Sequence, residues 1–180
     1  MKTTKVLLYC TKSTPYLVKD DYSNENEPVY FTHYKEQDSC GLPLNGKIVA
    51  QCEVETEEIE NSDLINKLTR EELLNKSCLT EAQLSNYLNF NNNVVGYALH
   101  IKNLEELKTP LTFEKNYIYK EPHGFNQVFK APQNMMRVYD RFGNKYILIS
   151  VHSEWLCKIL NGEKTIEVRK KVLKEMLSDE

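Results

Sequence analysis

The sequence lacks the features that mark membrane-spanning and secreted proteins. Its 180 residues contain no run of about eighteen apolar residues, which is the length that a membrane-spanning helix requires. The opening "MKTTKVLLYCTK" becomes polar too soon for a signal peptide and is typical of a strand. These absences predict a cytoplasmic protein that has no membrane partner.

The cysteine pattern argues against disulfides and against a zinc site. The five cysteines are odd in number and widely spaced, and no CxxC pair occurs. This pattern predicts reduced, packed thiols. His33 and Cys40 come nearest to the spacing of metal ligands, which is weak support for zinc. We predict no metal site and no cofactor.

Charge is unevenly distributed along the chain. The net charge of −3 argues against a protein that coats nucleic acid indiscriminately. Residues 53–63 hold six acids and no base, whereas residues 158–174 hold six bases and two acids, a local charge of +4. The basic region at 158–174 could therefore bind a phosphate group, and the acidic region at 53–63 would repel one.

Local patterns predict an α+β protein with a small curled sheet. Alternating or β-rich runs predict strands at residues 5–11, 29–32, 46–55, 91–101, 135–139, 145–151 and 164–168. The pairs Thr69 with Glu72 and Thr80 with Gln83 predict capping boxes and therefore two helices. A third helix is predicted to begin with Ser153 as its cap and to stop at Gly162. We also expect one helical turn at 103–107 and a charged final helix at 169–180.

The densest charged cluster lies in "KILNGEKTIEVRKK", residues 158–171. Strand alternation places Glu167 and Arg169 on one face, and the preceding turn could swing the Lys164 ammonium towards them. Such a site can hold a phosphate or a nucleobase edge. Alternatively, a desolvated Lys164 could act as a base or nucleophile, with His152 as a further acid–base candidate. A plain ion-pair ladder that closes a sheet is the remaining interpretation.

The segment "HSEWLCKILNGEKTIEVRKK" resembles the signature of ASCH domains. Four other segments are similar to further parts of that family: "VLLYCTKSTPYL", "LNGKIVAQCEV", "VVGYALHIKNLEEL" and "APQNMMRV". Together they touch most of the chain outside 19–43 and 57–76. The resemblance implies a PUA-like fold, which is a small, mostly antiparallel β-barrel with flanking helices. It also implies a single domain over 1–180 with insert-like segments near 19–43 and 57–90.

The order of these segments departs from the family. The signature normally comes first, and here it comes last. A circular permutation explains this order, because permutation is tolerated where chain ends lie close together at the surface. The alternative is that two chains exchange the C-terminal helix and strand. The predicted state is therefore a monomer or a domain-swapped dimer.

The resemblance implies recognition of RNA or a modified nucleoside. The expected binding residues are Lys164, Glu167, Arg169, Lys12, Tyr9 and Tyr16, with Tyr97 as a further stacking candidate. Some ASCH relatives are hydrolases, either ribonucleases or amidohydrolases of N4-acetylcytidine that use a lysine and a threonine three residues later. In this chain Lys164 matches the lysine, whereas Glu167 occupies the threonine position, which departs from the pattern of those amidohydrolases. The expected catalytic residues are Lys164, as base or nucleophile, and Glu167, which would move protons. A third hypothesis is a protein-interaction module formed by the helices of residues 69–88.

Overall fold

The computed structural model describes residues 2–11, 16–20, 29–33, 41–43, 46–59, 64–65, 68–88, 96–112 and 134–177. In chain order the elements are β1 (Thr3–Cys10), β2 (Tyr16–Asp20), β3 (Val29–His33), β4 (Gly41–Pro43), β5 (Lys47–Ile59), β6 (Leu64–Ile65), β7 (Leu68–Thr69), α1 (Arg70–Ser77), α2 (Glu81–Leu88), β8 (Gly96–Thr112), β9 (Met135–Tyr139), β10 (Lys145–Val151), α3 (Ser153–Leu160), β11 (Ile166–Arg169) and a 3-10 turn (Lys174–Met176).

A curled mixed sheet is the centre of the fold. Within the described residues it has six strands in the order β11-β8-β5-β1-β10-β9. All neighbouring strands are antiparallel except β1 and β10, which are parallel. Strands β2, β3 and β4 form a separate small sheet, and β6 and β7 form a hairpin. The predicted α+β fold with a curled, mostly antiparallel sheet and flanking helices is confirmed.

Apolar residues cover both faces of this sheet. On one face, α3 buries Leu156 and Ile159 against residues of β1, β5, β8 and β10. On the other face, α1 and α2 bury Leu73, Leu84 and Leu88 against β5, β8 and β11. Both helices begin with the predicted capping boxes: Thr69 with Glu72 and Thr80 with Gln83. Among the described residues, no helix has the length and apolar character needed to cross a membrane.

The predicted helical turn at 103–107 was wrong, because β8 runs unbroken through it to Thr112. Partners across the sheet override the local preference of these residues. Glu105 accepts a hydrogen bond from Gln51 on β5, and Asn103 adopts a left-handed conformation from which its side chain donates to Glu53. Register shifts in the pairing of β5 and β8 accommodate the irregular backbone.

Two predictions at the C-terminal end also required correction. Ser153 is the first residue of α3 rather than its cap, which is His152 and which makes no side-chain capping bond. The predicted final helix is reduced to the 3-10 turn. Burial explains this difference, because Met176 is buried in the core and Val172 and Leu173 pack against it. These contacts hold the segment along the sheet rather than in a regular helix.

Candidate functional site

The C-terminal end of α1 positions the Lys164 side chain. The Lys164 Nζ atom donates to the buried backbone oxygen of Ser77 at 2.6 Å, and the Thr165 backbone N–H donates to the Lys76 oxygen at 2.9 Å. A cation suits this place, because the last carbonyl groups of a helix carry partial negative charge and lack helical partners. The turn after α3, where Gly162 has a φ of +79°, delivers Lys164 to that position.

Lys164, Glu167 and Arg169 converge around one carboxylate. Glu167 Oε2 lies 3.2 Å from Lys164 Nζ, and Glu167 Oε1 lies 2.9 Å from an Arg169 terminal nitrogen. Ile166 and Val168 point to the opposite face, into the cluster beneath α1 and α2. Strand alternation therefore separates the charged face of β11 from its apolar face.

Arg169 also connects the two edges of the main sheet. It ends β11, which is one edge strand of the described sheet, and Asn134 directly precedes β9, the other edge strand. Arg169 donates to Asn134 Oδ1 at 2.9 Å and to the backbone oxygen of Ser150 at 2.7 Å. Its Nε atom is buried and has no hydrogen-bond partner among the described residues. The hydrogen bonds that the Arg169 guanidinium donates are thus directed mainly to other residues of the protein.

A cleft of about 590 Å³ opens beside this cluster. Its floor and walls come from β10, β11, α2, α3 and the end of β1. The lining residues are Thr11, Leu79, Gln83, Asn86, Tyr87, Ser150, Val151, His152, Trp155, Lys164, Glu167, Val168 and Arg169. Clefts that bind small molecules typically measure about 300–1,000 Å³, so this one has the volume for a nucleoside-sized guest.

Burial distinguishes the two cations from the carboxylate. The side chains of Lys164 and Arg169 are 2% and 9% exposed, whereas the Glu167 side chain is 13% exposed. Glu167 therefore has the largest exposed side-chain fraction of the cluster, and all three residues line the cleft. An ionised carboxylate only accepts hydrogen bonds, so the cluster offers a guest an acceptor.

Aromatic residues and further cations frame the cleft. Tyr87 on α2 is 39% exposed, and Trp155 on α3 is partly buried against the core. The Lys170 ammonium lies 5.1 Å from the centre of the Tyr87 ring, and the Lys158 ammonium lies 5.1 Å from the centre of the Trp155 ring. The local excess of positive charge in the sequence therefore lies next to the aromatic lining.

Burial lowers the pKa of Lys164 below its ordinary value of 10.5, although the Glu167 carboxylate acts in the opposite direction. Below the lowered pKa, Lys164 is protonated in both the folded and the unfolded chain. The full free-energy cost of burying its ammonium group then reduces the stability of the fold. Between the lowered pKa and 10.5 the unfolded chain binds more protons than the folded chain. The contribution of Lys164 to stability therefore improves as pH rises through this window.

We expect this linkage to be measurable with Lys164→Met. The free energy of unfolding of the native protein minus that of the variant should increase as pH is raised from neutral towards about 10.5. Urea denaturation at several pH values measures the difference, and Lys108→Met, which alters an exposed lysine on β8, corrects for general effects of alkaline solution. A difference that is constant or that decreases with pH would contradict the burial of a cationic Lys164.

Of the other predicted site residues, His152 lines the cleft, and the rest lie elsewhere or outside the described part of the chain. Lys12 and the side chain of Tyr16 lie outside the described residues. Tyr9 is buried in a cluster with Leu7 and Leu148, on the face of β1 opposite to Leu8, and does not line the cleft. Tyr97 likewise does not line it. His152 does, and its Nδ1 atom lies 3.4 Å from Thr11 Oγ1.

Sequence reasoning missed the aromatic residues of the cleft. Trp155 lies in the predicted third helix and Tyr87 in the helices of residues 69–88, and neither was among the predicted binding residues. The position of Trp155 in the helix that leads into the charged motif could have indicated its role, because the turn folds that motif back along the helix. Tyr87 carried no such indication, since only the packing of α2 against β11 brings it to the cleft.

The protein-interaction hypothesis relied on the apolar residues of α1 and α2. Leu73, Leu84 and Leu88 are buried against the sheet, and Leu74 packs partly against the same cluster. Tyr87 retains substantial exposure, but it lines the cleft. A partner that bound these helices would therefore meet mainly their polar surface.

Comparisons of the whole chain with models of protein families, with curated proteins and with solved structures gave no match. The ASCH resemblance and the permutation therefore remain predictions from short motifs.

Proposed function

We propose that the protein binds RNA or a modified nucleoside by holding one base in the cleft against Glu167. The observation that carries this proposal is a carboxylate that two buried cations hold, at 3.2 and 2.9 Å, at the surface of an aromatic-lined cleft. A base has a flat face for an aromatic ring and polar edges for hydrogen bonds. Both features have complementary groups in this cleft.

The sequence predicted that Lys164 and Arg169 bind the ligand, and we now propose a different task for these two cations. We assign Lys164 and Arg169 as positioning residues, because both are almost fully buried and donate to Ser77, Asn134, Ser150 and Glu167. The cations beside the aromatic residues, Lys158 and Lys170, are better placed to meet phosphate groups of a strand. Contacts of this kind would make RNA binding weaken as salt concentration rises.

The chain offers a direct test, because Trp155 is its only tryptophan and lines the cleft. We expect its fluorescence to change saturably during titration with nucleosides or with short single-stranded RNA. Glu53→Gln serves as a control, because Glu53 lines a separate cavity of about 250 Å³, and it should leave the titration unchanged. If a panel of common and modified nucleosides and RNA of mixed sequence produces no saturable change, the proposal fails.

A second candidate function is hydrolysis, which the lowered pKa of Lys164 favours. A lysine that loses its proton more readily can act as a base or nucleophile, and Glu167 lies within reach to move protons. Incubation with N4-acetylcytidine or single-stranded RNA, followed by chromatography, tests this candidate. Turnover by the native protein should be abolished in Lys164→Arg, because arginine keeps the charge and does not release its proton. The absence of turnover in the pure native protein would exclude hydrolysis of these substrates.

A further inference from the structure

Glu167 lies between two cations and presents hydrogen-bond acceptors to the cleft. One oxygen faces the Lys164 ammonium and the other faces the Arg169 guanidinium. A carboxylate offers about four lone-pair positions, so acceptor capacity remains on the side that lines the cleft. A proton on either oxygen would neutralise the negative charge that the two cations face. The geometry therefore fixes the hydrogen-bonding character of this point in the cleft.

We propose that Glu167 makes the cleft selective for bases that carry an exocyclic amino group where related bases carry a carbonyl oxygen. This inference rests on the proposed function and names the class of base. The amino groups of cytosine and adenine donate hydrogen bonds, and a glutamate can accept from the cytosine amine. Uracil and hypoxanthine present a carbonyl oxygen at the same ring position. That oxygen and the Glu167 carboxylate are both hydrogen-bond acceptors, so no hydrogen bond would form between them.

The nearby donors do not relieve this mismatch. Lys164 and Arg169 are almost fully buried, and the donors whose partners are seen are directed to Ser77, Asn134 and Ser150 as well as to Glu167. The Arg169 Nε atom has no partner among the described residues, but it is itself buried. The amide side chains of Gln83 and Asn86 line the cleft, but an amide group can donate or accept and so does not discriminate between the two classes. Within the cluster of Lys164, Glu167 and Arg169, the carboxylate is therefore the group that we expect to distinguish an amine from a carbonyl.

The test compares pairs of ligands that differ at this ring position. The pairs are the ribo-oligonucleotides UUCUU and UUUUU, and the nucleosides adenosine and inosine, each titrated against Trp155 fluorescence. We expect the amino-bearing member to bind about tenfold more tightly in at least one pair, since leaving a polar group mismatched in a partly buried site costs about 1.4 kcal/mol or more.

Glu167→Gln should remove the preference, because an amide can rotate to donate to a carbonyl oxygen. Glu163→Gln, an exposed change in the preceding turn, is the matched control and should retain the preference. N4,N4-dimethylcytidine provides a second test that needs no variant. It has no N–H on its exocyclic nitrogen, and it should bind the native protein more weakly than cytidine by a similar factor.

The possible failures are distinguishable. If no RNA and no nucleoside binds, the proposed function fails and this inference falls with it. If the ligands bind but both pairs bind equally, or the carbonyl-bearing members bind more tightly, the selectivity is wrong while the proposed function stands. A preference that persists unchanged in folded Glu167→Gln, or equal binding of cytidine and its dimethyl derivative, would also overturn the inference.

Discussion

Replacing Glu167 with alanine is expected to lower the free energy of unfolding by about 3–5 kcal/mol. The change removes the shared partner of two buried cations, Lys164 and Arg169. Breaking a buried ion pair by deleting one member has a cost of this size, because the remaining charge stays buried without compensation. The effect should be large here because one carboxylate serves two cations.

Urea denaturation followed by circular dichroism and by Trp155 fluorescence measures this loss. The matched control is Glu163→Ala, since Glu163 is exposed in the turn that precedes β11, and a surface change of this kind usually alters stability by less than about 0.5 kcal/mol. A loss below about 1 kcal/mol for Glu167→Ala would be typical of an exposed ion pair. That result would contradict the view that Glu167 forms ion pairs with two buried cations.

Replacing Tyr87 with alanine is expected to weaken binding of single-stranded RNA by about tenfold or more. An aromatic side chain that stacks on a base contributes about 1–3 kcal/mol to binding. Tyr87 lines the cleft and is 39% exposed, so the substitution should leave the free energy of unfolding almost unchanged. The variant therefore separates loss of binding from loss of fold, which a change at the partly buried Trp155 would not do.

Fluorescence anisotropy of labelled RNA measures this effect. Phe142→Ala is the matched control, because Phe142 is 75% exposed in the turn between β9 and β10 and does not line the cleft. Equal affinities of native protein and Tyr87→Ala would exclude a stacking role. The interaction-module hypothesis predicts a different result, in which Tyr87→Ala disrupts a protein complex and leaves nucleic-acid binding intact.

The strands and the first residues of the helices could be predicted from the sequence, because the chemistry of neighbouring residues determines them. The strand predicted at 135–139 matches β9, and the strand predicted at 145–151 matches β10. The two capping boxes satisfy backbone groups within four residues of each other, so neighbouring residues alone specify them. The left-handed conformation of Gly162 follows from the same kind of local requirement.

Elements that depend on contacts between residues far apart in the sequence could not be predicted in this way. Residues 103–107 have good helix formers, but cross-strand bonds to β5 keep them extended. The last described residues are rich in charge, but burial of Met176 and the ion pair between Glu175 and Arg137 place them against the sheet. In both places tertiary packing outweighs helix propensity.

The charged cluster was only partly predictable, for a similar reason. Spacing alone places Glu167 and Arg169 on one face of a strand. It does not specify that Ser77, Asn134 and Ser150, which are far away in the chain, take up the donors of the two cations. The partners of each charge therefore depend on the fold.

The most direct test of the account is an NMR titration of the native protein with single-stranded RNA. The indole N–H resonance of Trp155 and the backbone amide resonances of Glu167 and Tyr87 report on the cleft, and anisotropy of the labelled RNA reports binding independently. We expect these resonances to shift and to saturate at the RNA concentration at which the anisotropy saturates. RNA that binds by anisotropy while these resonances stay unmoved would contradict the account.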